Sequence, residues 1–191
     1  MIQYKLSPSS LRLYGECPKC FYLHHNKNIR RPSTIFPSLP GGMDKVLKAF
    51  FDTYRKKQTL PEPIKHLKVQ LFQDEELLKI WRNNRRGLQF QDEKGNLLRG
   101  AVDEILRKDD KLIVLDYKTR GYPLKENTPD FYQDQLNIYN YLLKKNGYEV
   151  EDYAYLLFYH PNKVHEDGDV DFHADLVKMR TSTKDAEKLF T

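Results

Sequence analysis

At 191 residues, the chain can bury one substantial hydrophobic core, and we expect a single domain that spans residues 1–191. Its apolar stretches are too short for a signal peptide or a membrane span, and its two cysteines are too few for a disulfide framework, so we expect a soluble, cytoplasmic protein. The net charge of +5 is uneven, because residues 1–66 carry 12 Lys and Arg against 4 Asp and Glu. This excess is compatible with a polyanionic partner such as nucleic acid, although many equally basic proteins bind none.

The first segment, residues 1–42, contains a predicted helix followed by a loop. The stretch "SPSSLRLYGECPKCFYLHHNK" begins with a serine-rich N-cap region, which predicts one helix from about Ser9. The next stretch, "RRPSTIFPSLPGG", contains three prolines and two glycines and is typical of a loop. A core segment over residues 43–160 then opens with "MDKVLKAFFDTYRKK", whose apolar residues recur at the spacing of an amphipathic helix.

The core segment continues with predicted strands and one further helix. We interpret "LQFQDEKGNLLRGAVDEILRKDDKLIVLDYKTR" as a three-stranded meander, with turns at residues 94–96 and 109–110. The stretch "TPDFYQDQLNIYNYLLKKNGY" predicts a helix that ends before Gly147, and "DYAYLLFYHP" predicts another strand. Residues 161–191 are expected to add a final strand and the start of a helix. This order is typical of an α/β fold in which helices flank a mixed sheet.

Two acidic residues interrupt the apolar runs of this meander, Asp103 in "GAVDEI" and Asp116 in "LDYKTR". Because side chains alternate along a strand, Asp116 and Lys118 share a face, and the tight turn between the strands lets Asp103 converge on Asp116. Two neighbouring carboxylates repel each other unless a divalent cation lies between them, and oxygen ligands suit Mg²⁺ or Mn²⁺. Lys118 is then placed to activate a water molecule or to stabilise charge on a phosphate, which predicts metal-assisted phosphodiester hydrolysis.

The ordered set of "GAVDEI", "LDYKTR" and "QLNIY" resembles the PD-(D/E)XK nuclease superfamily, and within it the RecB-like exonucleases, including the CRISPR-associated members. The resemblance covers residues 7–160 and implies a restriction-endonuclease-like core with the order helix, three strands, helix, strand. It also implies that Gln135 and Tyr139, four residues apart on one helix, hold the nucleic acid strand near the scissile phosphate. The alternative for these two residues is a polar helix edge beside a half-buried aromatic ring.

The resemblance also assigns the metal ligands and the catalytic residue. It implies that Asp103, Asp116 and the main-chain carbonyl of Tyr117 bind the metal, and that Lys118 is catalytic. Many RecB-like members place a further metal ligand, a histidine, on the first core helix. The corresponding stretch here, "GGMDKVLKAFF", offers Asp44 instead, and an aspartate can bind the same metal.

Simpler interpretations of the acidic residues remain open. Asp103 and Asp116 can be strand-end residues that face solvent or pair with Lys118 and Arg99. Asp44 can serve only to compensate the dipole at the start of a helix.

The cysteines bear on two kinds of metal site. Iron–sulfur members of the family use one N-terminal cysteine and three near the C-terminus, and no cysteine follows Cys20, so we expect no iron–sulfur cluster. Within "CPKCFYLHH", Cys17, Cys20 and His24 fall on one helix face and suggest zinc. However, one continuous helix cannot surround a tetrahedral ion, and the usual second ligand pair is missing.

Aromatic and basic residues of the N-terminal segment are candidates for a surface that stacks on bases and contacts phosphates. Arg30 and Arg31 are the candidate cations of this surface. For Tyr14 and Phe21, packing in the core is the favoured alternative.

Together, these observations predict a divalent-metal-dependent DNA nuclease with Mg²⁺ or Mn²⁺ as cofactor. We expect an exonuclease that acts on single-stranded DNA or DNA ends, in DNA repair or CRISPR adaptation, without membrane association. The alternative, from a different class, is a nucleic-acid-binding module whose nuclease site is weak or idle and which acts with protein partners in a larger repair or CRISPR complex.

Overall fold

A computed structural model describes residues 3–32 and 38–191, and the chain forms both helices and strands within those ranges. The helices are α1 (Pro8–Glu16), α2 (Pro18–Lys27), α3 (Ser38–Lys56), α4 (Glu75–Trp81), α5 (Gln133–Lys145) and α6 (Thr183–Phe190), with short 3₁₀ helices at Glu62–Ile64 and Pro129–Tyr132. The strands are β1 (Lys5–Leu6), β2 (Gln70–Leu71), β3 (Leu88–Gln91), β4 (Leu97–Gly100), β5 (Glu104–Lys108), β6 (Lys111–Thr119), β7 (Tyr153–Val164) and β8 (Val170–Arg180). Over these two described ranges, no helix combines the length and apolar character needed to cross a membrane.

The strands form two sheets. The larger sheet has the strand order β2, β5, β6, β7, β8, and the smaller one has the order β1, β4, β3. In the larger sheet, β6 and β7 run parallel, while the other neighbouring strands are antiparallel. A parallel pair needs a crossover connection, which α5 provides. The predicted α/β class, with mixed sheets flanked by helices, is therefore confirmed.

The predicted three-stranded meander is wrong in its pairing, because the chain changes sheets in the middle of it. Strands β3 and β4 pair in the smaller sheet, whereas β5 and β6 pair in the larger one. The change occurs at residues 101–103, where the backbone N–H of Val102 donates to the carbonyl oxygen of Trp81 at 3.2 Å. The sequence did not indicate this change, because its apolar run continues through the connecting residues.

Strand β6 lies at the centre of the larger sheet and contributes to a hydrophobic cluster on each face. The cluster that contains residues of α5 includes Leu112 and Val114, and the cluster that contains residues of α3 includes Ile113 and Leu115. Because side chains alternate along a strand, the next residue on the α5 face is Asp116. The fold therefore directs this acid toward α5, where the apolar side chains of that face end.

The single N-terminal helix predicted from about Ser9 is instead two helices. α1 ends at Glu16, α2 begins at Pro18, and the backbone of Cys17 between them is extended. Proline lacks a backbone N–H and is tolerated in the first turn of a helix but not in its interior, so Pro18 starts a new helix. The cap of α2 comes from Cys17, whose sulfur accepts a hydrogen bond from the backbone N–H of Cys20 at 3.1 Å.

The loop predicted before α3 is shorter than the sequence suggested. Residues 33–37 of that loop lie outside the described residues, and α3 already begins at Ser38. Pro40 lies in the first turn, where a missing N–H is not needed for intrahelical bonding. Asp44 consequently lies in the interior of α3 rather than at its start.

Candidate active site

Asp103 and Asp116 lie at the same end of the β5–β6 pair. The last paired residues at that end are Glu104 and Leu115, and each acid is the next residue beyond this pair. The backbone N–H of Tyr117 donates to Asp103 Oδ2 at 3.1 Å, which holds the Asp103 carboxylate beside β6. Asp103 therefore lies just outside β5, and its side chain provides the partner that a strand backbone would otherwise supply.

Lys118 and Gln135 form a polar network around Asp116. The ammonium group of Lys118 forms an ion pair with Asp116 Oδ2 and donates to Gln135 Oε1 at 3.1 Å. The amide nitrogen of Gln135 donates to Asp116 Oδ1 at 3.3 Å and to the hydroxyl oxygen of Tyr139 at 2.7 Å. Gln135 thus connects the sheet side of the cluster to α5.

Asp44 is linked to Asp103 through a lysine that the sequence analysis missed. Lys48 Nζ lies 2.8 Å from Asp44 and 3.1 Å from Asp103 Oδ1. Burial lowers the pKa of Lys48, but the negative charges of Asp103 and Asp44 outweigh burial and raise it above its ordinary value. The interpretation of Asp44 as a residue that compensates the dipole at a helix start is wrong, because the first turn of α3 lies earlier in the chain.

The ionised forms of both acids are costly in the metal-free protein. Burial raises the pKa of Asp116 to about 7, against the lowering effect of the Lys118 charge and with a further rise from the Asp103 charge. Burial also raises the pKa of Asp103, against the charge of Lys48 and with that of Asp44. Asp116 Oδ2 is buried, and its contact among the described residues is the ion pair with the Lys118 ammonium group. The cluster therefore has carboxylate oxygens that a cation would stabilise.

The sequence that builds this cluster matches a known family. A profile of the PD-(D/E)XK nuclease superfamily matches residues 36–190. The chain belongs to the PD-(D/E)XK nuclease superfamily. Among solved structures, it is similar to one described as "Crystal structure of SSO0001", with a TM-score of 0.44 and 13% identity, covering 99% of this chain and 74% of that chain. A comparison with curated proteins gave no match.

Membership of the PD-(D/E)XK superfamily implies a metal-dependent nuclease, and the residues of the cluster fit a divalent metal. The candidate ligands are the carboxylates of Asp103 and Asp116 and the main-chain carbonyl of Tyr117. The N–H and C=O of a strand residue point to the same side, so the hydrogen bond from the Tyr117 N–H to Asp103 also directs the Tyr117 carbonyl to that side. An oxygen-only set of this kind suits Mg²⁺ or Mn²⁺.

A buried ion cluster beneath the PD-(D/E)XK residues was also missed by the sequence analysis. The carboxylate of fully buried Glu104 lies 2.6 Å from Arg55 Nη2 and 2.9 Å from Arg82 Nη2. Arg82 Nε donates to the main-chain carbonyl oxygen of Asp103 at 2.8 Å, so the cluster also holds the Asp103 backbone. The sequence signal for this cluster was Glu104, a second acid directly after Asp103 within an apolar run. No spacing pattern relates it to Arg55 on α3 and to Arg82, which directly follows α4.

A cleft of about 790 Å³ opens beside the cluster of Asp103, Asp116 and Lys118, between α1 and the start of α5. Gln135 and Tyr139 lie in its wall together with Gly100 of the "GAVDEI" motif. A Cβ atom at position 100 would lie 2.8 Å from Tyr139 Cε1, which is closer than ordinary contact allows. Because Gly100 has no Cβ atom, the Tyr139 ring can pack against the backbone at this position. From there the Tyr139 hydroxyl oxygen accepts the hydrogen bond from Gln135.

The structure places the N-terminal cations and cysteines apart from this network. Arg31 Nη1 donates to Glu16 Oε2 at 3.1 Å, and Arg30 is exposed. Cys17 and Cys20 are free cysteines whose thiol groups contact each other. The hydrogen bonds from Cys20 lower the pKa of Cys17. Over residues 3–32 and 38–191, the ion pairs of Arg31 do not reach the cluster of Asp103, Asp116 and Lys118.

Proposed function

We propose that the chain is a divalent-metal-dependent DNA nuclease that acts as an exonuclease on single-stranded DNA or DNA ends. The observation that carries the proposal is the convergence of Asp103, Asp116 and Lys118 beside an open cleft. Asp116, which is buried, and Asp103, which is partly buried, have raised pKa values that favour a bound cation, and an ammonium group lies in contact with Asp116. This combination of groups is the one that metal-assisted phosphodiester hydrolysis requires.

In this proposal, Asp103, Asp116 and the Tyr117 carbonyl hold Mg²⁺ or Mn²⁺, and Asp44 contributes a further carboxylate. When bound, the metal supplies Lewis-acid stabilisation of the phosphate and a more acidic water molecule. Lys48 neutralises Asp44 and Asp103 in the metal-free protein, so it competes with the cation for Asp103. Neutralisation by Lys48 also limits the charge repulsion that would otherwise destabilise the metal-free cluster.

Lys118 acts on the reacting groups in this proposal. Its ammonium group is held by Asp116 and by Gln135 Oε1, so its position is fixed before substrate binds. From there it orients the attacking water or stabilises negative charge that develops on a phosphate oxygen. A single preorganised group of this kind is typically worth about 10²–10³ in rate.

The proposed substrate is DNA that enters the cleft as a single strand or a free end. Gln135 lies at the contact between the cleft and the catalytic cluster, and Tyr139 supports it, so Gln135 is proposed to hold the strand near the scissile phosphate. Arg30 and Arg31 are proposed to bind phosphates farther along the strand, in the part of the chain with the excess of basic residues. We propose one nuclease domain with its catalytic core over residues 43–160.

The biological setting is proposed from the RecB-like motifs. They favour a role in DNA repair or CRISPR adaptation, with protein partners in such a complex. The alternative, a nucleic-acid-binding module with an idle site, predicts the same DNA binding without cleavage.

A digestion assay tests the proposed activity. Linear single-stranded, circular single-stranded and duplex DNA are each incubated with Mg²⁺ or Mn²⁺, and with a chelator. We expect metal-dependent loss of the linear single strand and survival of the circle, since an exonuclease needs an end. Lys118→Ala should slow the digestion by about 10²–10³, whereas Lys111→Ala, which changes an exposed lysine at the other end of β6, should not slow it. DNA binding without digestion under all metal conditions would contradict the nuclease and favour the binding module.

A further inference from the structure

Three potential metal ligands meet on the ribbon formed by β7 and β8, outside the catalytic cluster. His160 is paired directly opposite His173 across the two strands, and Asp175 lies two residues beyond His173. Because residues two apart share a face, all three side chains lie on the same face of the sheet. Among the described residues, this is the set of histidine, cysteine and acidic side chains whose ligand atoms all lie within 4.8 Å of one another.

Two of the distances in this group match those between neighbouring ligand atoms of a tetrahedral metal site. Asp175 Oδ2 lies 3.3 Å from His160 Nε2, and Asp175 Oδ1 lies 3.2 Å from His173 Nε2. When nitrogen and oxygen ligands surround a zinc ion at about 2.0–2.1 Å, tetrahedral angles place neighbouring ligand atoms about 3.3 Å apart. All the ligand atoms of the group lie within 4.8 Å of one another, so side-chain rotations can bring the two imidazole nitrogens and one Asp175 oxygen around such an ion.

The hydrogen bond of His160 leaves its other nitrogen available to a metal. His160 Nδ1 lies 3.2 Å from the carbonyl oxygen of Pro161, and a carbonyl oxygen only accepts, so Nδ1 carries the proton. With the proton on Nδ1, Nε2 of His160 faces the Asp175 carboxylate, where its lone pair is available to a metal ion. Metal-binding histidines commonly donate their second ring N–H to a carbonyl group in this way. His160 is only 6% exposed, so its ring orientation is fixed by packing.

We infer that His160, His173 and Asp175 form a second metal site, which binds Zn²⁺ or a similar first-row transition metal. Two imidazoles and one carboxylate favour these ions over Mg²⁺, which prefers oxygen ligands. The side chains of His173 and Asp175 are 54% and 34% exposed, so a water molecule or another solvent ligand has access to the fourth position. The inference does not rest on the proposed nuclease activity.

The position of the site in the sheet indicates what a bound ion does there. Phe158 pairs with Lys118 on one side and with Asp175 on the other, so Asp175 lies two strands, about 9–10 Å, from Lys118. Beyond His160, the pairing of β7 and β8 becomes irregular between Pro161 and Lys163. An ion bound by residues of both strands just before this irregularity would hold β7 and β8 together, beside the strand that carries Lys118.

Calorimetric titration with Zn²⁺ tests the site in the full-length chain. The background carries Cys17→Ser and Cys20→Ser, which removes the thiols, and serine can cap α2 in place of Cys17. Excess Mg²⁺ is present during the titration so that it competes with zinc for the carboxylates of Asp103 and Asp116. We expect one zinc ion per chain. His173→Gln and Asp175→Asn should each weaken zinc binding by about tenfold to a hundredfold or more.

His165 provides a matched control on the same ribbon. It is an exposed histidine that pairs with an aspartate, Asp171, at 2.6 Å, but it lies outside the three-residue group. His165→Gln should leave zinc affinity unchanged. Substitution of Co²⁺ for Zn²⁺ should give the visible absorption of a four-coordinate ion, and His173→Gln should remove it.

Three results would overturn the inference. They are the absence of zinc binding in the background chain, equal loss of affinity in His165→Gln and His173→Gln, and full affinity in both His173→Gln and Asp175→Asn. His160→Gln changes a buried residue and can unfold the chain. The two variants at the more exposed positions therefore decide the question.

Discussion

Asp116→Asn should stabilise the metal-free protein while it abolishes cleavage. Asp116 is 1% exposed, and its ionised carboxylate lies close to the second acid, Asp103. Asparagine keeps nearly the same shape without the charge, so it removes the cost of ionising a buried group. It also removes the ligand charge on which the proposed metal site depends.

The raised pKa of Asp116 sets the size and the pH range of this effect. The carboxyl group ionises near 3.8 in the unfolded chain and at about 7 in the folded one. Because only the folded state holds the proton across this range, the destabilisation grows as the pH rises from about 4 to about 7 and is complete above it. At about 1.4 kcal/mol for each pH unit, the upper limit is about 4 kcal/mol. For a chain of this length, that corresponds to a rise in Tm of about 10 °C.

Thermal unfolding in the presence of a chelator, at about pH 5 and pH 8, measures the effect. Asp116→Asn should gain more stability at the higher pH. Asp110→Asn is the control, because the Asp110 side chain is 97% exposed and its surface ion pair contributes little at either pH. Added Mg²⁺ should raise the Tm of the wild type but not that of Asp116→Asn. A variant that is no more stable than the wild type at the higher pH would refute the argument from burial.

Three further results are expected. Lys118→Ala should retain metal affinity in a calorimetric titration, because the carboxylates remain. Its single-turnover cleavage rate should fall by about 10²–10³. A cleavage rate equal to that of the wild type would show that Lys118 takes no part in the mechanism. Gly100→Ala should displace Tyr139, which should lower the free energy of unfolding in urea by about 1–3 kcal/mol and reduce the cleavage rate. Gly121→Ala is the control and should match the wild type, because the new Cβ atom would meet no neighbouring group of the described residues within 4 Å. Purified protein should lack stoichiometric iron and the visible absorption of a cluster, since no cysteine follows Cys20, and iron in a metal analysis would contradict this.

Rules that act over a few residues made part of the fold predictable from the sequence. Alternation along "KLIVLDYKTR" was sufficient to place Asp116 and Lys118 on one face of β6, because local backbone geometry sets the direction of a strand side chain. The turn between β5 and β6 was predictable for the same reason, and Asp109 within it has a φ of 52°. The end of α5 before Gly147, which has a φ of 88°, also follows from a local preference.

The sequence by itself determined the α/β class, the strand that carries Asp116 and the identity of the main acidic candidates, because periodicity and turn preferences are properties of short stretches. Only the tertiary structure decided which groups surround them. Lys48 reaches Asp103 because α3 packs against the larger sheet, and Arg82 reaches the Asp103 backbone because α4 lies beside the connection to β5. The assignment of β3 and β4 to a separate sheet was equally a result of packing. Such contacts join residues far apart in the chain, and they leave no periodic signal in the sequence because the packing of whole elements determines them.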